Sequence, residues 1–221
     1  MTMIDCEHIV WDWNGTLLND SWVCVEILNT ILHKYGKTLT TLQQYRQTFG
    51  FPVADFYRSL GFDFSSDPFD GVANDYISQY RIRQFECHLH DGVMEGLNVF
   101  RQRNMPQSIL SAYHQDLLTE AVTQFDIASY FAHIVGRNDH YAISKVDAGQ
   151  ALIDRLALEP EQLLLIGDTL HDVDVAQTLG MQCILIGNGH QHPDRLRPTG
   201  VPVLNAASDV IENVRHTQRH T

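Results

Sequence analysis

Positive charge is scarce in this chain. Its 221 residues carry 15 Lys and Arg against 27 Asp and Glu, a formal net charge of −12. Only Lys34, Lys37 and Lys145 are lysines. A balance of that sign opposes a polyanionic partner, so nucleic acid and an anionic membrane surface are excluded as main ligands. A small anion is not excluded, because a metal ion and a few placed cations reverse the field locally. Cysteine is sparse too. Cys6, Cys24, Cys87 and Cys183 are scattered, with no C-x-x-C pair. That predicts free, buried thiols in a reducing compartment rather than a disulfide framework. No apolar run approaches the roughly 18 residues of a membrane span. The N-terminal residues show neither the basic stretch nor the apolar stretch of a secretory signal. Gly 14 and Pro 7 are too few for a low-complexity chain. The composition describes a cytoplasmic globular protein of one large domain, or one domain with a smaller companion.

What the sequence does contain is a series of short, β-branched apolar runs bounded by turn residues: 8–12, 108–111, 133–136, 163–167, 183–187 and 201–204. Their length and composition predict buried parallel strands. Between them lie helical patterns, with Leu117, Leu118, Ala121, Val122 and Phe125 on one face. Ala148, Leu152, Ile153 and Leu156 form a second face, and Val173, Ala176 and Leu179 a third, closed by Gly180. The alternation predicts an α/β fold, a doubly wound (Rossmann-like) parallel sheet. Residues 19–90 break it. Trp22, Val25, Leu28, Ile31, Leu32 and Tyr35 recur at helical spacing up to Gly36, and further helices are predicted over 40–47, 53–60 and 70–87. No strand-like run appears there. A small helical insertion after the first strand is the simplest reading, with 1–18 and 91–221 forming the sheet domain. Residues 216–221 read as a frayed tail.

Two strands end in acids. Residues 10–17 run from an apolar strand into Asp12, then Asn14, Gly15 and Thr16. Ligands of open α/β sheets bind beyond the carboxyl ends of the strands, which is where Asp12 falls. A carboxylate there can act as nucleophile or metal ligand, and Gly15 permits a sharp turn with exposed N–H groups. Read alone, the segment is equally an Asp-Asn-Gly turn. Asp168 ends a second strand, and Asp172 follows in the first turn of the next helix. Two converging carboxylates repel unless a cation separates them, and hard oxygen ligands suit Mg²⁺. The alternative is plain helix capping. Ser111 at a third strand end could donate to a phosphate oxygen, and Lys145 could balance an aspartate and a phosphate. Each of these two, alone, is also an ordinary capping or surface residue.

The order Asp12…Ser111…Lys145…Asp168-x-x-x-Asp172 resembles the four motifs of the haloacid dehalogenase superfamily. The resemblance runs from about Glu7 to Gly189 and is most similar to the phosphoglycolate phosphatase-like branch, whose small helical cap matches the insertion at 19–90. It implies that Asp12 attacks phosphorus and becomes an aspartyl-phosphate. It implies Mg²⁺ held by Asp12, the Asn14 main-chain carbonyl and Asp168, with Asp172 binding directly or through water. Ser111 and Lys145 would bind the transferring phosphoryl group of a small phosphorylated metabolite, in a monomer or homodimer. Position 14 departs from the pattern, which usually has Asp there. An amide neither protonates a leaving group nor deprotonates water. The resemblance therefore implies slow hydrolysis, a good leaving group, or another base, for which His171 and His114 are candidates. Lys145-Val146 in place of Lys-Pro matters less, since the charge is kept. In the cap, loop 45–52 is the expected substrate contact. There Arg46, with Arg58 beyond the loop, could grip an anionic group, while Tyr45, Phe49, Phe51, Phe56 and Tyr57 read as cap core. Residues 86–90 and 189–192 are His-containing but lack a full zinc ligand set, and His190 is placed near the sheet's carboxyl edge. Two other functions fit position 14: a phosphonate C–P hydrolase, which would need Lys34 or Lys37 as a Schiff-base lysine, and a weakened binding or regulatory protein.

Overall fold

The computed structural model describes residues 3–137 and 144–217. Elements follow one another as β1 (Ile4–Cys6), β2 (His8–Trp11), β3 (Leu18–Asn19), α1 (Ser21–Lys34), α2 (Leu42–Thr48), α3 (Val53–Ser59), α4 (Phe69–Arg83), β4 (His88–Leu89), α5 (Val93–Gln102), β5 (Gln107–His114), α6 (Gln115–Gln124), β6 (His133–Arg137), α7 (Lys145–Leu156), β7 (Leu163–Gly167), α8 (Leu170–Leu179), β8 (Gln182–Ile186), α9 (Pro193–Leu196), β9 (Val203–Leu204), α10 (Val210–Asn213) and β10 (Val214–His216). Six strands form one sheet in the order β6-β5-β2-β7-β8-β9, each neighbouring pair parallel. The doubly wound sheet is therefore present. Its central strands β2 and β7 are apolar apart from His8, because both faces are covered. Ile9, Trp11, Leu164 and Ile166 pack in one cluster with α5, α6 and α10, through Leu97, Phe100, Leu118, Val122 and Val210. The alternate residues Val10, Leu163 and Leu165 pack on the other face with Leu152 and Ile153 of α7 and Val175 and Leu179 of α8.

Helices α1–α4 lie in the chain between β3 and β4. Their apolar residues Val23, Ile27, Leu28, Ile31, Leu32, Tyr45 and Phe56 continue the first sheet-face cluster. α2 starts two residues later than its periodicity predicts, because Thr41 and Gln44 form a reciprocal capping box. α4 stops at Arg83 rather than at 87. A 3-10 turn over Gln84–Glu86 follows, and from Cys87 the chain is extended, so that His88 and Leu89 pair antiparallel with Asn19 and Leu18. This two-residue ladder is too short to show a period, so the sequence carries no strand signal there. The C-terminal expectation needs the same correction. His216 belongs to β10, which runs parallel to β1, with Arg215 paired to Asp5 at 2.7 Å. Residues 218–221 of the expected tail lie outside the described residues. Cys6, Cys24 and Cys87 are buried and free, and Cys183 is half-buried and free. Among the described residues no helix is long and apolar enough to cross a membrane.

Candidate active site

β2 and β7 are neighbours, with Trp11 opposite Ile166. The Asp12 N–H extends the ladder by donating to the Ile166 carbonyl at 2.8 Å. Asp12 and Asp168 consequently leave adjacent strands at the same edge. Asp172 comes one helical turn later, and oxygens of all three carboxylates lie within 4.8 Å of one another. The chain between them is shaped by missing side chains. Gly15 has φ +74°, and a Cβ there would sit 2.2 Å from Asp168 Oδ2; one on Gly189 would sit at the same distance. No larger residue leaves room for that carboxylate. Asp168 accepts from the Thr16 hydroxyl at 3.1 Å and from the His190 N–H at 2.5 Å. Asp172 Oδ2 accepts from the Thr169 hydroxyl at 2.7 Å and its N–H at 3.0 Å, closing a capping box at the start of α8. Thr169, not Asp168, is the cap of that helix, so Asp168 is free for the cluster.

Lys145 joins the acids from α7. Its ammonium donates to Asp12 Oδ1 at 2.8 Å and to Asp172 Oδ1 at 2.6 Å, and the residue is 4% exposed. It starts α7 behind the Ser144 cap, on the helix face that also buries Ala148, Gly149, Leu152 and Ile153. Burial works against the charge on Lys145, but the two aspartates outweigh it and raise the pKa. Burial likewise opposes ionisation of Asp172, yet Lys145 and the Thr169 hydrogen bonds hold its carboxyl below the usual range. Asp12 and Asp168 are not so fully compensated. Burial, with the neighbouring acids adding to it, pushes Asp12 up to about 6 and Asp168 up to about 7. Lys145 and His190 only partly offset this.

Ser111 sits on β5, beside β2, and is buried. The β5–β6 register shifts between Leu110 and His114, so the backbone changes course at Ser111, whose hydroxyl accepts the Tyr113 N–H at 3.2 Å. Of the two histidines considered as bases, His171 lies in the first turn of α8 with the Phe51 ring 4.8 Å away, and burial lowers its pKa. His114 caps α6 by accepting the Asp116 N–H. Phe51 is 46% exposed and is not part of the aromatic core, unlike Tyr45, Phe56 and Tyr57. Arg58 is exposed and pairs with Asp55. Arg46 donates to the Gly187 carbonyl beyond β8, while its Nε is buried without a hydrogen-bond partner.

The sequence did not single out Asp20 and Tyr80, and it placed His190 in the right region without giving it a partner. His190 is 5% exposed and puts Nε2 3.1 Å from Asp20 Oδ1 and Nδ1 2.9 Å from the Tyr45 hydroxyl. Burial would lower its pKa, but Asp20 and then Asp168 and Asp12 raise it to about 9. It is a second buried cation of the site. The signal was available: a His between Gly189 and a polar run, directly after a strand's carboxyl end. The other His-containing stretch serves structure, since His90 bonds the Gly15 carbonyl at 3.0 Å.

Residues 9–186 match the haloacid dehalogenase-like hydrolases. The chain belongs to that family. Within it, the chain is a phosphatase-like member. A phosphoglycolate phosphatase of Photobacterium profundum is 25% identical over 216 residues, covering 93% of this chain and 90% of the relative. The tyrosine-protein kinase PtkA of Mycobacterium tuberculosis is 24% identical, over 92% of this chain and 70% of the kinase. Among solved structures, a haloacid dehalogenase-like hydrolase of Streptococcus pneumoniae superposes with a TM-score of 0.81 at 20% identity, covering 94% of this chain and 97% of that one. In this haloacid dehalogenase-like hydrolase, then, the sequence-distant acids and the lysine stand together at the sheet edge where the family's fold places its ligands.

Proposed function

We propose that the chain is a Mg²⁺-dependent phosphatase of a small phosphorylated metabolite, working through an aspartyl-phosphate on Asp12. The observation that carries this reading is the position of Lys145, bonded at once to Asp12 and Asp172 with Asp168 in the same cluster. The donor set fits a hard divalent cation. Three buried carboxylates stand together, Asp12 and Asp172 on Lys145 and Asp168 on the His190 N–H, and burial still makes Asp12 and Asp168 resist ionisation. Asp12, Asp168 and the Asn14 main-chain carbonyl would hold Mg²⁺, with Asp172 bound directly or through water. When bound, the ion would neutralise charge that builds on the phosphoryl oxygens and free Asp12 to ionise.

The protein's own groups then divide the work. Asp12 Oδ attacks phosphorus in line, the ester P–O bond breaks, and the leaving oxygen keeps the electron pair. Lys145 and the Ser111 hydroxyl contact the transferring phosphoryl oxygens. A water molecule next attacks phosphorus, the Asp12–phosphorus bond breaks, and the carboxylate is regenerated. The water proton departs with inorganic phosphate, because Asn14 cannot take it. That makes the second step slow and lets the phosphoenzyme accumulate. Residues 19–90 act as a cap that excludes water, and the free Arg46 Nε supplies a donor for an anionic group of the substrate. The phosphonate reading loses support, since Lys34 pairs with Asp75 and Lys37 with Asp67 away from the acids.

The test is phosphate release from a panel of phosphomonoesters, 2-phosphoglycolate included, with Mg²⁺ and with EDTA, followed by acid-quench trapping of phosphoprotein. Mg²⁺-dependent release with a trapped phosphate on Asp12 is expected. No release from any phosphomonoester, or trapped phosphate on another residue, overturns the reading.

A further inference from the structure

The amide at position 14 is held from behind. Asn14 Nδ2 donates to Asp20 Oδ2 at 2.8 Å and to the Tyr80 hydroxyl at 2.6 Å. Tyr80 donates its own proton to the same Asp20 oxygen at 2.6 Å. A carboxamide has two N–H bonds and one oxygen. Both N–H bonds are used on this pair, so Oδ1, an acceptor, is all that Asn14 has left to offer. The other Asp20 oxygen accepts the Gly15 N–H at 2.9 Å and faces His190 at 3.1 Å. Asp20 is 1% exposed, and a carboxylate so buried keeps its charge only because donors surround it. Asn14 follows β2, whereas Asp20 immediately precedes α1, without a side-chain bond to that helix's N–H groups, and Tyr80 stands on α4. The helical segment thus fixes the orientation of a group two residues from Asp12.

We propose that Asp20 and Tyr80 are positioning residues that lock the Asn14 carboxamide with its oxygen free to accept a hydrogen bond from the attacking water. The inference rests on the phosphatase reading. In it, the negative charge that the family pattern puts at position 14 stands instead at position 20. Restoring the acid alone therefore fails. Asn14→Asp removes both donated bonds and sets two carboxylates at hydrogen-bond distance in a buried site. Exchanging both residues does not. In Asn14→Asp with Asp20→Asn the net charge is unchanged and the bond between the positions is kept with its direction reversed. The new amide nitrogen replaces Asp20 Oδ2, and its oxygen replaces Oδ1, opposite the Gly15 N–H and His190.

The experiment measures kcat and KM separately for a phosphomonoester in Mg²⁺, using wild type, N14D, the N14D/D20N exchange and Y80F. Circular dichroism and thermal melts report the folded fraction of each. N14D is expected to reach no more than the wild-type kcat. The exchange is expected to raise kcat by about 10- to 100-fold and to lower the trapped phosphoenzyme, since a carboxylate can now take the water's proton. Y80F is expected to lower kcat by roughly five- to tenfold, with KM within about twofold of wild type, because the amide is free to turn. An N14D gain equal to that of the exchange overturns the inference. So does a folded exchange variant with no gain, or a Y80F kcat that falls only as its folded fraction falls. Should the exchange not fold, the Y80F comparison decides alone. Failure of the phosphatase reading shows separately, as wild-type turnover that D12N leaves unchanged, and it takes this inference with it.

Discussion

Lys145 carries more of the site than its single charge suggests. It is the lysine among the described residues that bonds both Asp12 and Asp172. Replacing it by Met keeps the buried stem and deletes the counter-charge. Removing one partner of a buried ion pair costs about 3–5 kcal/mol. Lys145→Met is therefore expected to lose about that much stability at pH 8 in EDTA, and less at pH 5, where Asp12 and Asp168 bind protons. Urea titrations at the two pH values check it, and equal losses would contradict the charge argument. Asp12→Asn is nearly isosteric and keeps an oxygen for Lys145, so the fold should survive. Phosphate release should fall on the order of 10³-fold or more, because an amide oxygen is no nucleophile toward phosphorus. Turnover within tenfold of wild type would remove Asp12 from that role.

At the scale of elements, what places Lys145 is the seat of α7. Gly149, one turn further along the same face, has no side chain where one would meet Leu179 Cδ1 at 2.5 Å and Leu110 Cδ2 at 3.1 Å. α7 thereby lies close to α8 and β5, near enough for its first residue to reach Asp12. Gly149→Val is expected to cost about 1–3 kcal/mol by overpacking and to reduce phosphate release as the helix moves off the sheet. Urea midpoint and kcat should fall together; a variant as stable and active as wild type would show that this contact does not position the lysine. The C-terminal end of α2 is seated differently, in part by main-chain carbonyls. The His192 N–H donates to Arg46 O at 2.9 Å and the Gln191 amide to Phe49 O at 2.9 Å, beside the side-chain bonds of Tyr45 with His190 and of Arg46 with the Gly187 carbonyl.

For the whole molecule, the crowded acids set the response to pH. Asp12 and Asp168 titrate near 6 and 7 when folded, above the value of about 4 for a free carboxyl. Between those limits the folded state holds more protons than the unfolded one, so stability falls as pH rises. His190, raised to about 9, contributes stability that is complete below about 6.5 and lost as pH passes 9, which has the same sign. Asp172, lowered, works oppositely but below pH 4, outside this window. The unfolding free energy from urea titrations in EDTA should therefore decline from pH 5 to pH 9, each pK unit between the folded and free values contributing on the order of 1.4 kcal/mol. Mg²⁺ should restore more at pH 8 than at pH 5. A midpoint that rises with pH, or an equal Mg²⁺ effect at both values, would contradict the metal assignment.

Much of this arrangement is legible in one dimension. Predominantly apolar runs of four or five residues ending in Asp12 and Asp168 specify parallel strands with acids at their carboxyl edge, because a strand covered on both faces favours apolar residues at most positions. The helical spacing of residues 21–34 marks the insertion for the same local reason. Other features have no local signature. The β3–β4 ladder is two residues long, and Asp20, Tyr80 and His190 look like a cap residue, a helix-face aromatic and a loop histidine. Periodicity records which face of an element is buried, and that is a property of neighbours along the chain. Which donor meets which acceptor across 60 or more residues, as Tyr80 meets Asp20, is decided only when the folded chain excludes water and leaves each buried charge to find its partner.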